Sequence, residues 1–333
     1  MRARVLKRCV LAAGAMCLAL VGSGCAGQGQ VFAGEEGQLF WAQDVLALPG
    51  EQVPLRARLQ GGDLLGDRRG YLVRFVLDGQ VLAVTQTDRE GYVQAWFTPP
   101  ACGDYRIEVQ LSPVGWPSGE VPPPADLLVQ CRPADQPMLL VDMDKTVVKS
   151  DFRQVLLGRA QPMPDAARVM NRLAQRYWLV YFTQRPQMLG PSSKGWLKQY
   201  GFPRSVLLLS KSGMLMSSSS ELKQRALEEL RKRFTGLELA IDDRIEDAPI
   251  YLQAGMRAII VLPLTQRDDP KLLAKQAGQL EQLDPNVDVV TDWTQLEQAV
   301  FDGMRFTPQD AARQVRDHAW GILSAPQQGE GGQ

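Results

Sequence analysis

The stretch MLLVDMDKTVVKS, from Met138 to Ser150, sets two aspartates and a threonine directly after an apolar run. Met138 to Val141 has the continuous apolar character of a buried strand. The alternation that follows makes it the first strand of a parallel sheet. After MLLVD come the helical DAARVMNRLAQR, the strand WLVYF, a helix near SKGWLKQY, the strand SVLLL, the helix ELKQRALEELRKRF and the strand LELAI. APIYLQAG then reads as a helix, RAIIV as a strand, PKLLAKQAGQLEQL as a helix and VDVV as a strand. Such alternation predicts right-handed crossovers and a mostly parallel α/β sheet with helices on both faces. Ligands in that architecture bind at the carboxyl ends of the strands, where Asp142 sits.

Upstream the pattern changes. From about residue 31 to 132 the period is two: in VPLRARLQ, Val53, Leu55, Ala57 and Leu59 face one way and Arg56, Arg58 and Gln60 the other. DYRIEVQL repeats this with Tyr105, Ile107, Val109 and Leu111, and Pro49-Gly50, Asp78-Gly79 and DREG at 88–91 supply turn chemistry. A β-sandwich is expected, and the run from Val73 to Val109 resembles the immunoglobulin-like modules of exported bacterial proteins. A spacer or packing role is favoured over a ligand site, since fold alone does not license function. The proline-bracketed RPADQP, Arg132 to Pro137, separates the two regions.

The first 25 residues have the layout of an export signal: Arg2, Arg4, Lys7 and Arg8, then an apolar stretch, then small residues. VGSGC resembles a lipoprotein box that would make Cys25 the lipidated first residue of a mature chain; Gly22 stands where an aliphatic is usual, which leaves ordinary cleavage open. Cys9 and Cys17 fall within the signal, so Cys102 and Cys131 are the two cysteines of the body. In an exported protein they are expected to form a disulfide, with two free, buried thiols as the alternative. If the strands that carry them pair antiparallel, the start of one lies beside the end of the other.

Several chemistries are excluded. The 333 residues hold 37 Lys+Arg against 37 Asp+Glu, with no basic cluster, so no nucleic-acid partner is expected. His318 is the one histidine and lies in the helical pattern PQDAARQVRDHAW, which removes Ser-His-Asp, Cys-His and histidine-rich zinc sites. SAPQQGEGGQ reads as a disordered end.

The motif DMDKT resembles the first motif of the haloacid dehalogenase (HAD) superfamily, whose phosphohydrolases carry Asp-x-Asp-x-Thr after the first strand of a Rossmann-like sheet. The resemblance implies that Asp142 is nucleophile and metal ligand, that Asp144 is general acid/base with its backbone carbonyl toward the metal, and that Thr146 steadies the loop beside the substrate. A carboxylate can attack phosphorus, but two anions meeting need a cation between them, and oxygen ligands with phosphate suit Mg2+. VYFTQRP places Thr183 where the superfamily binds the phosphoryl group, with Arg185 as a phosphate or headgroup contact or a surface ion pair. Lys223 in ELKQRALEEL is the expected cation against phosphate, although Lys211 and Arg225 lie nearby. DDRIEDAPIY lines up with the GNR..D...Y pattern of lipin-type phosphatidate phosphatases, implying Asp243 as metal ligand and Asp247 as its support. Asp242 then falls where that family has Gly, and a slip of one residue gives Asp242 the metal role.

Lys145 also departs from the family, which usually has Gly or a small or acidic residue there; it could favour an anionic substrate, signal a weakened metal site or point to solvent. Neither intervening stretch has room for a large cap domain. The expected organisation is a signal at 1–25, an immunoglobulin-like sandwich at 31–132, a HAD-like domain at 137–305, and a helix and tail at 306–333. The implied activity is that of a Mg2+-dependent phosphatase on the periplasmic face of a bacterial membrane, held by a lipid anchor and acting on a phosphomonoester, with a phospholipid as candidate substrate. The alternative is a lipoprotein that keeps the fold, binds phosphate or lipid headgroups and has lost turnover.

Overall fold

A computed structural model describes residues 39–61, 68–116, 121–149, 154, 159–210, 219–265 and 268–324. The proposed signal, Cys25, Lys211 and the C-terminal tail from residue 325 lie outside the described residues. The chain divides into two units: one runs to Cys131 and includes Gln187–Gly195, and the other holds Arg132–Pro186 and everything from Trp196.

The part of the first unit that runs to Cys131 is all-β among the described residues. Strands β1 (Leu39–Ala42), β3 (Val53–Gln60) and β6 (Tyr92–Phe97) make one antiparallel sheet. Strands β2 (Val45–Ala47), β8 (Ala125–Cys131), β7 (Gly103–Leu111), β4 (Leu72–Leu77) and β5 (Gln80–Gln86) make the other, in that order. Period-two patterning does what it predicts: Val53, Leu55, Ala57 and Leu59 are buried with Phe75, Ile107, Val109 and Leu127 in one core drawn from both sheets. Asp78 and Gly79 both have positive φ, 49° and 81°, as the tight β4–β5 turn requires.

The expected disulfide is not present. β7 and β8 do pair antiparallel, but the residue opposite Cys131 is Gly103. Cys102 is therefore one position out of register; it is exposed while Cys131 is buried. A single residue of offset in a pleated sheet sends neighbouring side chains to opposite faces, which keeps the sulfurs apart.

The second unit is a six-stranded parallel sheet flanked by helices. Its strands are β9 (Met138–Val141), β10 (Trp178–Pro186), β11 (Val206–Ser210), β12 (Leu237–Asp242), β13 (Arg257–Val261) and β14 (Asp288–Val290), in the spatial order β11-β10-β9-β12-β13-β14. Among the described residues the α-helices are α1 (Ala166–Leu173), α2 (Gly190–Gln199, which begins in the segment grouped with the first unit), α3 (Ser219–Arg231), α4 (Ala248–Gln253), α5 (Pro270–Glu281), α6 (Trp293–Glu297) and α7 (Pro308–Ser324). Alternate strand residues Leu139, Val141, Leu179, Tyr181, Leu239, Ile241, Ile259 and Val261 share a core with Val169, Met170 and Leu173 of α1 and with Trp293 and Leu296 of α6. Residues of the opposite phase, Met138, Leu140, Val180, Ala240 and Ile260, are buried as well. Burial on both phases is why these strands read as unbroken apolar runs. On that second face Phe234 packs edge-on against Trp178, ring centroids 5.3 Å apart.

Helix α6 and the π-helical turn Gln298–Asp302 behind it have no counterpart in the sequence reading. Asp292 starts α6 by accepting a hydrogen bond from the Gln295 amide at 2.8 Å. At the β14 edge, buried Asp288 accepts from both Arg257 and Arg305 and from the Phe306 amide. The Val289 amide donates to the Phe306 carbonyl, so the chain entering α7 lies along this strand. No helix among the described residues is long and apolar enough to cross a membrane.

Candidate active site

Strand order brings the acids together. From β9 the chain builds outward through β10 to β11, then returns to the other side of β9 as β12. The gap between β9 and β12 is thus the point where the connection reverses, the usual place for a ligand in an open parallel sheet. Val141 pairs with Ile241, and the Asp142 amide donates to the Ile241 carbonyl at 2.9 Å, so Asp142 and Asp242 leave the sheet side by side. Carboxylate oxygens of Asp142, Asp242 and Asp243 all lie within 4.8 Å of one another.

The loop after Asp142 is tightly turned, with the amides of Val147 and Val148 both donating to the Met143 carbonyl. Lys145 takes φ 62° in this turn, and its side chain is exposed. Left-handed backbone costs a β-carbon-bearing residue roughly 1–2 kcal/mol, a cost that glycine escapes. Lys145→Gly is expected to stabilise the protein by about 0.5–1 kcal/mol, after allowing for glycine's greater freedom in the unfolded chain. Denaturant unfolding of the two proteins measures this, and a loss of stability would contradict it. Trp293 of α6 fixes the far side of the loop by donating its indole N–H to the Thr146 carbonyl at 3.2 Å. The Thr146 hydroxyl is buried and has no hydrogen-bond partner among the described residues.

Thr183 is buried two residues beyond the β9–β10 pairing of Val141 with Tyr181, and its hydroxyl accepts from the Arg185 amide at 3.4 Å. Arg185, read from sequence as a phosphate contact or a surface ion pair, is found in an ion pair, but a buried one. Its guanidinium is buried and donates to both oxygens of Asp144, at 2.8 Å from Nε and 2.6 Å from Nη2.

Lys223, in the second turn of α3, is the cation the site uses. Its ammonium is 2.5 Å from Asp242, 2.9 Å from Asp247 and 3.8 Å from Asp142. Asp247 also accepts from the Ser220 hydroxyl, and Tyr251 donates its hydroxyl to Asp242 at 2.6 Å. Asp242, the alternative ligand by a slip of one residue, joins Asp142 and Asp243 in the acidic triad, whereas the Asp144 and Asp247 carboxylates lie outside it, each held by a basic side chain. Ser220 and Tyr251 were not singled out as site residues. Tyr251 closes the quoted DDRIEDAPIY pattern, and a buried tyrosine hydroxyl that needs a partner was the available signal.

Burial pushes the Asp142 carboxyl well above the ordinary carboxylate range; Lys223 opposes the shift, and Asp242, Asp243 and Asp144 add to it. Asp243 is pushed up to about 7, first by burial and then by Asp242, against the pull of Lys223 and Lys145. Burial pulls the Lys223 pKa down, yet Asp242, Tyr251, Asp142 and Asp247 together raise it well above that of an ordinary lysine. Three crowded carboxylates facing one ammonium leave negative charge uncompensated, and an all-oxygen donor set of this kind fits a hard divalent cation.

A stability signature follows. The folded protein holds a proton on Asp243 up to about pH 7 that the unfolded chain releases from about pH 4 upward, and burial of Asp142 acts in the same direction, so metal-free stability should fall as pH rises through that range. A divalent cation held by the triad would need it ionised, so if Mg2+ is that cation, millimolar Mg2+ should raise the melting temperature by several degrees at about pH 8 and by clearly less at about pH 5.5. Thermal unfolding with Mg2+ and with EDTA at both pH values checks this; an equal shift at both would contradict it.

No curated protein matches the chain. Among solved structures, a CARDB domain from Pyrococcus furiosus in complex with di-metal ions is 13% identical, with 33% of this chain and 100% of that chain covered and a TM-score of 0.24. The Pnkp1/Rnl/Hen1 RNA repair complex is 16% identical, with 38% of this chain and 42% of that chain covered and a TM-score of 0.34. At this level of similarity neither bears on function. Residues 139–260 match the family model described as PITM 1-3, LNS2 domain, a match that supports a lipin-like phosphatase domain over the stretch carrying every acid of the triad together with Lys223 and Tyr251.

Proposed function

We propose that the chain is an exported, Mg2+-dependent phosphohydrolase that works through an aspartyl-phosphate, with a phosphomonoester lipid such as phosphatidate as the candidate substrate. One observation carries the reading: Asp142, Asp242 and Asp243 converge with buried Lys223 at the reversal point of the parallel sheet, inside the segment that matches the LNS2 model. Asp142, Asp242 and Asp243 would hold the cation, which when bound neutralises the approach of a phosphate dianion to a carboxylate. Asp142 supplies the attacking oxygen. The Lys223 ammonium, 3.8 Å from Asp142, lies where it can face negative charge gathering at the phosphoryl group. The Thr183 hydroxyl is a hydrogen-bond partner for a phosphoryl oxygen. Asp144 gives a proton to the departing oxygen and takes one from the water that frees Asp142.

Export and an envelope location rest on the N-terminal signal pattern, and membrane attachment on the Cys25 motif. A lipid substrate rests on the lipin resemblance and the lack of sequence for a large cap. One observation favours the alternative of a binding-only protein: both oxygens of the proton-transfer carboxylate are already engaged by Arg185. Phosphate release from a generic aryl phosphate and from phosphatidic acid in micelles, with Mg2+ or EDTA, separates the two. Metal-dependent release supports the enzyme; no release from a folded, Mg2+-binding protein supports the binder.

A further inference from the structure

We infer that Arg185 is a positioning residue that acts through Asp144, not a contact for the substrate phosphate, and that it thereby sets which leaving groups the site can expel. The inference rests on the hydrolase reading above. Its first support is reach. The pairing of β10 with β11 shifts register between Phe182 and Pro186, and Arg185 lies inside that irregular stretch. An irregularity of this kind re-aims a side chain at a strand end. Here the guanidinium reaches the loop after β9, where its planar fork takes both Asp144 oxygens. The Arg185 side chain is 1% exposed against 24% for Asp144, so the arginine is packed in place and the carboxyl is the member that faces outward. A two-point fork fixes the plane of a carboxylate as a single point charge does not.

In the first half-reaction an Asp142 oxygen bonds to phosphorus, the ester P–O bond breaks, and its electron pair goes to the leaving oxygen, which takes a proton from Asp144. In the second, Asp144 takes a proton from water, the water oxygen bonds to phosphorus, and the P–O bond to Asp142 breaks to release phosphate. Both steps need Asp144 in one orientation. The first needs it as an acid only where the leaving oxygen is basic: an alkoxide demands the proton and a nitrophenolate barely does.

The test compares kcat/KM, which covers the steps up to loss of the alcohol, for an alkyl phosphate and p-nitrophenyl phosphate in wild type, Arg185→Gln, Arg185→Lys, Asp144→Asn and Arg185→Gln/Asp144→Asn. Both Arg185 variants should lose about a thousandfold on the alkyl ester and about tenfold on the aryl ester, mainly in kcat, as Asp144→Asn should. The double variant should be no worse than Asp144→Asn alone, because the two residues act as one unit. Rescue by Lys, equal losses on both esters with a raised KM, or additive losses in the double variant would overturn the inference in favour of a phosphate contact. Losses that merely track a lowered melting temperature would overturn it in favour of a structural role. If wild type hydrolyses neither ester with Mg2+ present, the hydrolase reading itself fails and this inference falls with it.

Discussion

Asp142→Asn should abolish phosphate release, by about four orders of magnitude or more, while leaving the protein folded and, without metal, more stable than wild type. Both halves come from the same geometry. On the proposed reading the amide cannot form the phosphoryl intermediate, and without a nucleophile the other groups have no covalent step to assist. Yet Asp142 is a buried carboxyl crowded by Asp242, Asp243 and Asp144, which is why its proton is hard to remove. Replacing it with a neutral isostere removes that repulsion at neutral pH, a gain of about 1–3 kcal/mol by analogy with other strained active sites. Turnover and urea unfolding of the two proteins with EDTA present check the pair of results. An inactive variant that is also less stable would mean that Asp142 is held by favourable contacts and not by tension among like charges. The variant should also lose most of the Mg2+-induced rise in melting temperature, because one of three ligands is gone.

Lys223→Met should have the opposite effect on stability. The ammonium is the shared partner of Asp242, Asp247 and Asp142, and it is almost wholly buried. Taking one member from a buried ionic group costs roughly 3–5 kcal/mol, because the acids left behind are buried without the cation they share, although Tyr251 and Ser220 still donate to Asp242 and Asp247. The loss should shrink on acidification. The Lys223 pKa is raised, so its contribution is complete below an ordinary lysine's pKa and unchanged between about pH 5 and 9, whereas the orphaned acids of the variant escape part of their cost by taking up protons. Urea unfolding at about pH 5 and pH 8 should show the smaller difference from wild type at the lower value. A constant difference would point to lost packing of the lysine stem as the cause.

The architecture was legible because two periods dominate the chain. Apolar runs separated by helical repeats can only bury both faces of the sheet, and each strand from Met138 to Val290 was found close to where the pattern put it. Most of the site followed, since loops at the ends of such strands must meet. What sequence could not supply was direction and depth. Lys211, Lys223 and Arg225 were all available near α3, and helical spacing does not say which one turns inward; Lys223 does. Asp242 and Asp243 are neighbours at a strand end, and only the position of Tyr251 and Lys223 shows that Asp242 is the more deeply drawn in of the two. The pairing of Arg185 with Asp144 was not legible because the two are 41 residues apart, across a strand pairing that no local pattern encodes. The disulfide failed for a smaller reason: the pairing of β7 with β8 was anticipated, but a one-residue register difference decides whether two sulfurs meet.

The chain that leads into α7 has a consequence for self-association. β14 is an outer strand of the sheet, and such a strand offers unpaired amides and carbonyls to any second molecule. Here the Val289 amide is taken by the Phe306 carbonyl, and Asp288 pins the same segment through Arg305 and the Phe306 amide. The C-terminal stretch therefore works as a guard against edge-to-edge aggregation, and trimming the chain ahead of Phe306 would open that border for polymerisation although no catalytic group had been touched.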